Sequence, residues 1–198
     1  MPTFIKTGFW EKLSRAPKEY LNLNLLIESL KPTPTYKVYT ALLTQSGDGN
    51  PESIRNSPLV IGRTYMIDSD GVPSGVWDFT NVGAPNNNIG TYFVATGTTP
   101  TSWGGPSIVL VYTNGAPVVT VLENTIGNIT FSYYDVGDYF ANLPNGFPYD
   151  KTTVFMQGQS FIQVANNIDF IEIVARDSNG IAQNDLLQNT PIEIRVYN

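Results

Sequence analysis

The sequence predicts a mainly β protein: an antiparallel β-sandwich or jelly-roll-like body preceded by a short helical segment at the N-terminus. Two observations support this fold class. After residue 35, runs of Val, Ile, Thr, Tyr and Phe alternate with Gly, Asn, Asp and Pro, which is typical of short strands joined by tight turns. No amphipathic helix of about ten or more residues lies between these runs, so the crossovers that a parallel sheet requires are missing.

Helical character is confined to "GFWEKLSRAPKEYLNLNLLIESL", residues 8–30. Trp10, Leu13 and Ala16 are spaced for one face of a short helix, and Pro17 interrupts the pattern. A Pro-punctuated joint, "KPTPT", then separates this segment from the β part of the chain. We therefore predict a short helical segment that is distinct from the body.

Charge is unevenly distributed between this segment and the rest of the chain. Residues 1–31 hold five of the 11 Lys and Arg residues but only three of the 17 acidic residues, although the whole chain has a net charge of −6. The asymmetry favours docking of the N-terminal piece on an acidic surface, and a chance distribution of so few charges is the alternative.

The alternation of apolar and polar residues defines the strands of the body. In "DFIEIVARD", Ile171, Ile173 and Ala175 line one face, while Phe170, Glu172, Val174 and Arg176 share the other. In "YKVYTALL", one face carries Tyr36, Val38, Thr40 and Leu42. Similar alternation in "NITFSYYD", "TTVFM" and "PIEIRVYN", with turns such as "SNG", "TNG" and "PNG", predicts roughly nine to eleven strands.

Aromatic residues are concentrated in one segment of the chain, and three interpretations of it stay open. Aromatic residues are 12% of the chain, against 14% charged residues. The crowded segment contains Tyr133, Tyr134, Tyr139, Phe140, Phe147 and Tyr149. Packing within the core is the first interpretation, and a stacking platform for sugars or a subunit interface are the others.

Composition removes most catalytic chemistry. The chain contains no Cys and no His, so thiolate sites, disulfides and every His-based triad are excluded. A pair of carboxylates could serve a glycosidase, and Asp135, Asp138, Asp150 and Glu123 are the candidates. Acids scattered through the turns of a small β protein more commonly face solvent, so we expect no enzyme and no cofactor.

A calcium loop is a second possibility for the acidic residues. Asp68 and Asp70 in "DSDG", with Asp78 further on, place oxygen ligands at alternate positions before a Gly. The same four residues form a good β-turn, and no Glu closes the loop as an EF-hand requires. We therefore predict no metal site.

Nucleic acid and membrane are not expected partners. Binding to a phosphate backbone needs a clustered basic face, which an acidic chain of this composition does not offer. No apolar run reaches the roughly 18 residues that span a bilayer, and the N-terminus lacks the apolar core of a secretion signal.

The stretch "DFTNVGAPNNNIGTYFVATGTTPTSWG", residues 78–104, predicts a small β unit. Its expected core is Phe79, Val82, Phe93 and Trp103, and "TYFVATG" is expected to be one of its strands. Glycines at 83, 90 and 97 permit positive φ angles, and Pro85 begins a tight surface loop. The exposed tip of that loop, and hence a candidate contact site, is Asn86, Asn87 and Asn88.

Three blocks of the sequence belong together: "TYKVYTALLTQSG", "GAPVVTVLENTIGNITFSYYDVGDY" and the ending "LLQNTPIEIRVYN". They resemble a module of structural proteins of tailed bacteriophages, particularly crAss-like and other Bacteroidetes phages. In simpler versions of this module the first block runs almost directly into the second. Here the stretch at 78–104, which resembles a small β unit of phage virion proteins, lies between them, and "GFWEKLSRAPKEYLNLNLLIE" resembles a short anchoring segment found ahead of such modules.

The resemblance implies a nested architecture. Residues 1–32 would form the anchoring segment, residues 33–46 with 114–198 a host β domain, and residues 47–113 an inserted β subdomain. The insertion would begin and end in the turn-rich stretches "SGDGNP" and "YTNGAP", where insertions are tolerated.

The resemblance also implies a non-enzymatic role in the virion. We expect a head fibre or capsid decoration protein, assembled in the bacterial host cytoplasm, that docks on the major capsid protein or another virion protein. The docking residues would be Phe4, Phe9, Trp10 and Leu13, which could alternatively cap the β core of their own chain. Phage fibres are usually symmetric, so a homotrimer is expected, with a dimer second. The alternative function is a carbohydrate- or host-receptor-binding module of a phage fibre or tail, with a host surface glycan as partner.

Overall fold

The computed structural model describes residues 35–72, 75–157 and 161–198, and the predicted N-terminal helix lies outside these ranges. The described residues form 14 β-strands and one short 3₁₀ helix, Thr80–Val82. The strands of the first half are β1 Tyr36–Thr44, β2 Pro51–Ile54, β3 Thr64–Ser69, β4 Trp77–Asp78, β5 Tyr92–Val94, β6 Ser102–Trp103 and β7 Ile108–Thr113. Those of the second half are β8 Val118–Asn124, β9 Thr130–Asp135, β10 Asp138–Asn142, β11 Thr152–Met156, β12 Phe161–Asn166, β13 Phe170–Arg176 and β14 Thr190–Tyr197.

The predicted fold class is confirmed, because the chain is mainly β and its sheets are antiparallel. Sheet A has the strand order β11-β14-β1-β8, and sheet B has the order β12-β13-β10-β9. Sheet C has the order β2-β7-β3-β5, and β4 and β6 form a two-stranded ribbon. Sheets A and B are built from residues 36–44 and 118–197, whereas sheet C and the ribbon are built from residues 51–113.

Sheets A and B pack face to face around one hydrophobic core, which gives the body its sandwich-like architecture. From sheet A the core takes Tyr39, Ala41, Leu43, Val119, Ile192 and Ile194. From sheet B it takes Phe131, Tyr139, Ala141, Ile171, Ile173 and Ala175. The amphipathic pattern predicted for β13 is confirmed, because Ile171, Ile173 and Ala175 are fully buried while the alternate side chains are half-buried.

Sheet C and the ribbon enclose a second hydrophobic core. Phe79, Val82 and Phe93 are buried in it, and the half-buried Trp103 packs against it, as the sequence predicts. The Phe79 and Trp103 rings meet edge to face with centroids 5.3 Å apart. The predicted strand within "TYFVATG" is β5.

Two short segments connect the sandwich with sheet C: residues 45–50 lead from β1 to β2, and residues 114–117 lead from β7 to β8. We call them the crossing segments. They run side by side, because the Gly49 amide donates to the Asn114 carbonyl (2.7 Å) and the Asn114 amide donates to Asn50 (2.8 Å). Gly49 and Gly115 have φ angles of 86° and 95°, and the ring of Tyr133 lies against both of them. A Cβ at Gly49 would collide with this ring, and a Cβ at Gly115 would lie 2.9 Å from the Gly49 amide nitrogen, so both positions require glycine.

Three contacts fasten sheet C to the edge of the sandwich. The Val119 amide donates to the Gly62 carbonyl (2.9 Å), and the Phe131 amide donates to the Thr64 hydroxyl (2.9 Å). The Asn128 side chain donates to the Tyr92 carbonyl (3.3 Å). Sheet C is therefore held beside β9, the edge strand of sheet B.

Two details of the sequence prediction are wrong. The count of nine to eleven strands is too low, because sheet C and the ribbon contain strands of two to four residues, too short to show alternation. Gly83 and Gly90 have the expected positive φ angles of 110° and 86°, but Gly97 does not, and a Cβ there would instead meet Val82.

Candidate functional site

The aromatic segment of the sequence divides between the core and the surface. Tyr139 and Phe147 are fully buried, whereas Tyr134 and Tyr149 are each 66% exposed. On the outer face of sheet B, the rings of Tyr134, Phe140 and Phe170 form a row across β9, β10 and β13. Core packing is therefore the correct interpretation for part of the segment, and the ring row is its surface feature.

The rings of this row cover one another. The Tyr134 and Phe140 centroids are 4.8 Å apart with an interplanar angle of 30°, and the Phe140 and Phe170 centroids are 4.6 Å apart at 33°. Because Phe140 lies on the middle strand, its two faces are covered by its neighbours. A sugar stacks on an exposed ring face, so most of the row offers ring edges instead.

Acidic side chains lie next to this row. The predicted carboxylates Asp135 and Asp138 are brought together as partners across β9 and β10. Burial, together with the charges of Glu172 and Asp135, raises the pKa of Asp138 to about 6. Glu172 was not among the predicted carboxylates, although its strand was predicted. The other two, Glu123 on β8 and Asp150 just before β11, belong to exposed parts of sheet A and its flanking turn.

A cleft of about 480 Å³ lies between sheet C and the β9 and β10 edge of sheet B. Its wall on one side comes from β3, β5 and β7, and on the other from β9, β10 and the residues beside them. The volume falls within the range of small-molecule sites. All of its lining residues belong to the described part of the chain, and none of them carries a charge.

Polar groups on the sheet B side of the cleft are fixed in orientation. The side-chain nitrogen of Asn142 donates to the Ser132 hydroxyl (3.0 Å) and to the backbone carbonyls of Thr130 (3.3 Å) and Phe140 (3.4 Å). Carbonyl oxygens only accept, so the amide nitrogen must face them and Oδ1 is the remaining acceptor. Within the described residues, no hydrogen bond to Oδ1 of Asn142 or Asn128 is formed.

Three tyrosines contribute to the sheet C side: Tyr65, Tyr92 and Tyr112. In the strand register, the Tyr92 side chain points to the opposite face of sheet C from those of Tyr65 and Tyr112. Tyr92 is 56% exposed. Tyr112 is held from several directions: the Arg63 guanidinium lies 4.4 Å from its ring centroid, the Tyr65 ring meets it edge to face at 5.6 Å, and its hydroxyl donates to Glu52. The Tyr112 ring is therefore held against the second core, on the opposite face of sheet C from Tyr92.

The predicted contact tip is only partly exposed. Asn86 and Asn88 are exposed, but Asn87 is half-buried. Its Oδ1 accepts from the Phe79 amide (2.9 Å), and its carbonyl accepts from the Trp77 indole (2.7 Å). Asn87 therefore organises the loop, and the contact role predicted for Asn86, Asn87 and Asn88 stays a prediction.

The acidic residues considered for calcium are used in separate local contacts. Asp70 pairs with Arg55, Asp68 accepts from the Ser69 amide, and Asp78 accepts from the amide and hydroxyl of Thr80. Those bonds from Thr80 lower the pKa of Asp78. Across the described ranges, no group of three or more acidic side chains is arranged to hold a metal ion.

The predicted docking residues Phe4, Phe9, Trp10 and Leu13 lie outside the described residues. Among the residues that are described, no helix is long and apolar enough to cross a membrane. No protein-family model matches the sequence, and neither curated proteins nor solved structures give a match.

The cleft was missed by the sequence prediction. Its main side chains, Tyr92, Tyr112, Asn128 and Asn142, come from four separate segments that the sequence does not bring together. Little in the sequence indicates that these residues form a site, because Asn is expected in turns and Tyr is expected in strands.

Proposed function

We propose that the chain is a non-enzymatic structural protein of a tailed bacteriophage particle, a head fibre or capsid decoration protein that docks through its N-terminal segment and projects the β body. The observation that supports this proposal is the pairing of β1 with β8. These two strands contain the start of the two sequence blocks that resemble the phage module, and they are antiparallel neighbours in sheet A.

The pairing matters because residues 45–117 lie between the two strands in the sequence. In the simpler module the blocks follow one another almost directly, as a hairpin would. Here the chain leaves β1, forms sheet C, and returns to pair β8 with β1 in antiparallel register from Tyr39 opposite Asn124 to Thr44 opposite Val118. This arrangement is what an insertion into the connection of a hairpin would produce.

The structural role is tested on purified particles of the virus that encodes the chain. Mass spectrometry should detect the protein in stoichiometric amounts, and immunogold labelling should place it on the head. Deleting residues 1–32 should reduce incorporation at least about tenfold while the truncated protein remains folded, because the docking segment is lost. Absence of the protein from particles would refute the structural role, and undiminished incorporation of the truncated form would refute the docking role.

We also propose that the protein acts as a homo-oligomer, with a trimer first and a dimer second. Sheet A has β11 and β8 as its edges, and each edge carries a large exposed apolar side chain: Phe155 is 51% exposed and Leu122 is 63% exposed. Association of one edge with the other edge of a neighbouring copy would close a ring and cover both. Light scattering should give a trimer mass that Leu122→Lys reduces, whereas a stable wild-type monomer at micromolar concentration would contradict the proposal.

A second candidate function is a carbohydrate- or host-receptor-binding module. The observation that favours it is the uncharged cleft beside sheet C, whose lining combines tyrosine rings with hydroxyl and amide groups. A glycan array probed with the full chain tests it directly.

A further inference from the structure

We propose that the cleft between sheet C and the β9 and β10 edge of sheet B is a binding site for a neutral saccharide. This inference rests on the second candidate function, whose site and ligand class it names, and it does not depend on a role in the virion.

The charge of the cleft selects the ligand class. None of the lining residues, all within the described ranges, is acidic or basic, so a phosphate, a carboxylate or a cationic ligand would find no opposite charge there. Arg63 and Glu52 contact a lining residue, and both are engaged with Tyr112. A ligand that fills this space must therefore be neutral.

The polar groups of the cleft match hydroxyl groups. Asn142 and Asn128 each have a side-chain nitrogen that donates within the protein and an Oδ1 that accepts nothing from the described residues. Ser132 accepts from Asn142, and its own proton remains available for donation. A saccharide hydroxyl both donates and accepts, so it can give its proton to an asparagine oxygen and receive one from the serine.

Tyr92 supplies the aromatic surface of the site. A sugar ring has a face of C–H groups, and an exposed aromatic ring is the surface on which such a face loses water most favourably. Tyr92 is 56% exposed, and no ring of the described residues is stacked on it. It stands on β5, and a strand holds a site more rigidly than a loop does.

The cleft fits a saccharide better than the ring row on sheet B does. In that row the faces of Phe140 are covered by Tyr134 and Phe170, so only the outer face of an end ring is free for stacking. The row also borders Asp138 and Glu172, whose charges do not favour a neutral ligand. The two surfaces can be separated experimentally, because each has an exposed tyrosine of its own.

The test uses the full chain and saturation-transfer NMR with a panel of neutral hexoses, N-acetylhexosamines and their short oligomers. Each is added at about 10 mM, roughly ten times the dissociation constant expected for a weak neutral site. We expect transfer from at least one member of the panel and none from glucuronate. A panel without any transfer overturns the proposal. Binding of charged glycans on the array would then retain the second candidate function without a neutral saccharide site, and neither result affects the structural role.

Variants then locate the binding. Tyr92→Ala should weaken it at least about fivefold, and Asn128→Ala should do the same, whereas Tyr92→Phe should retain it within about twofold. Tyr149→Ala is the matched control, because Tyr149 is 66% exposed and does not line the cleft. Thermal melts establish that each variant is folded. Binding that survives Tyr92→Ala and Asn128→Ala but is lost in Tyr134→Ala would refute the cleft and leave glycan binding on the ring row.

Discussion

At the level of single residues, Asn184 joins parts of the chain that are distant in sequence. Its Oδ1 accepts from the Gly137 amide (2.9 Å) and the Tyr139 hydroxyl (3.2 Å), while its nitrogen donates to the Gly47 carbonyl (3.1 Å) and the Tyr133 hydroxyl (3.2 Å). One half-buried side chain makes four hydrogen bonds to groups far apart in the sequence. Asn184 therefore links the crossing segments to sheet B through hydrogen bonds.

Replacing Asn184 by alanine should therefore be costly. The Tyr139 side chain is fully buried, so its hydroxyl would lose its partner without gaining water. We expect Asn184→Ala to lower the free energy of unfolding by about 2–3 kcal/mol, measured by urea denaturation. Asn179→Ala is the control, since Asn179 is exposed and bonds only to Asp177 in its own turn; its effect should stay within about 0.5 kcal/mol. Equal effects of the two substitutions on the free energy of unfolding would contradict this linking role of Asn184.

Asp138 makes the stability of the body depend on pH. Its pKa rises from the ordinary 3.8 to about 6 in the folded chain, so the folded state holds a proton that the unfolded state has already released. This group therefore lowers stability as pH rises from about 4 to about 6. Asp138→Asn should raise the melting temperature at pH 7.5 by about 2–4 °C, allowing for solvent screening, and should have a smaller effect at pH 4. Asp150→Asn, an exposed aspartate, serves as the control, and a gain that is the same at both pH values would contradict the assignment.

At the level of structural elements, the two crossing segments are the most constrained part of the fold. Gly49 and Gly115 both adopt φ angles that other residues avoid, and both leave room for the ring of Tyr133. The ring is in turn fixed by its hydroxyl, which accepts from Asn184. A turn-rich sequence here provides a packed joint rather than a loose linker.

A matched pair of glycine substitutions separates backbone strain from packing at this joint. Gly49 and Gly90 have the same φ of 86°, but a Cβ at Gly49 would overlap the Tyr133 ring, whereas nothing lies within 4 Å of one at Gly90. Gly90→Ala should cost about 1–2 kcal/mol from the left-handed backbone alone. Gly49→Ala should cost at least about 1–2 kcal/mol more, measured by chemical denaturation. Similar costs for both variants would show that Tyr133 moves aside freely.

The elements also show how far sequence reasoning reaches. Long alternating strands such as β13 and β14 were predictable, because their alternation of buried and less buried residues extends over seven or eight successive residues. The core of the unit at 78–104 was also predictable, because large apolar residues between turn residues must be buried together. The ribbon strands β4 and β6 have two residues each and show no period at all.

The candidate site was not predictable for a different reason. Asn142 reaches the cleft because β10 pairs with β9, and Tyr92 reaches it because β5 is the edge strand of sheet C. Both positions depend on how sheets are ordered and packed, which alternation along one strand does not specify. Asn87 is less exposed than predicted for a similar reason, because its bonds to Phe79 and Trp77 span eight and ten residues.

At the level of the whole molecule, two hydrophobic cores are supported by separate ranges of the chain. Residues 36–44 and 118–197 supply the strands around the first core, and residues 51–113 supply those around the second. The entry and exit of the second range lie side by side: a Cβ placed on Gly47 would be 2.8 Å from the amide nitrogen of Gly115. The span between these two points is short enough for a tight turn to close.

Replacing residues 48–114 by Asn-Gly should therefore leave a folded sandwich of sheets A and B. The replacement removes the Thr64 bond to the Phe131 amide and the packing of Val94 on the first core, so stability should fall by a few kcal/mol. We expect a dispersed amide NMR spectrum and one cooperative thermal transition. Deleting β1, an interior strand of sheet A, is the control and should abolish folding. If the shortened chain is unfolded while the full chain is not, the two cores form one cooperative unit, and the nested architecture inferred from the phage-like blocks would lose its physical basis, since an insertion that its host domain cannot lose is part of that domain.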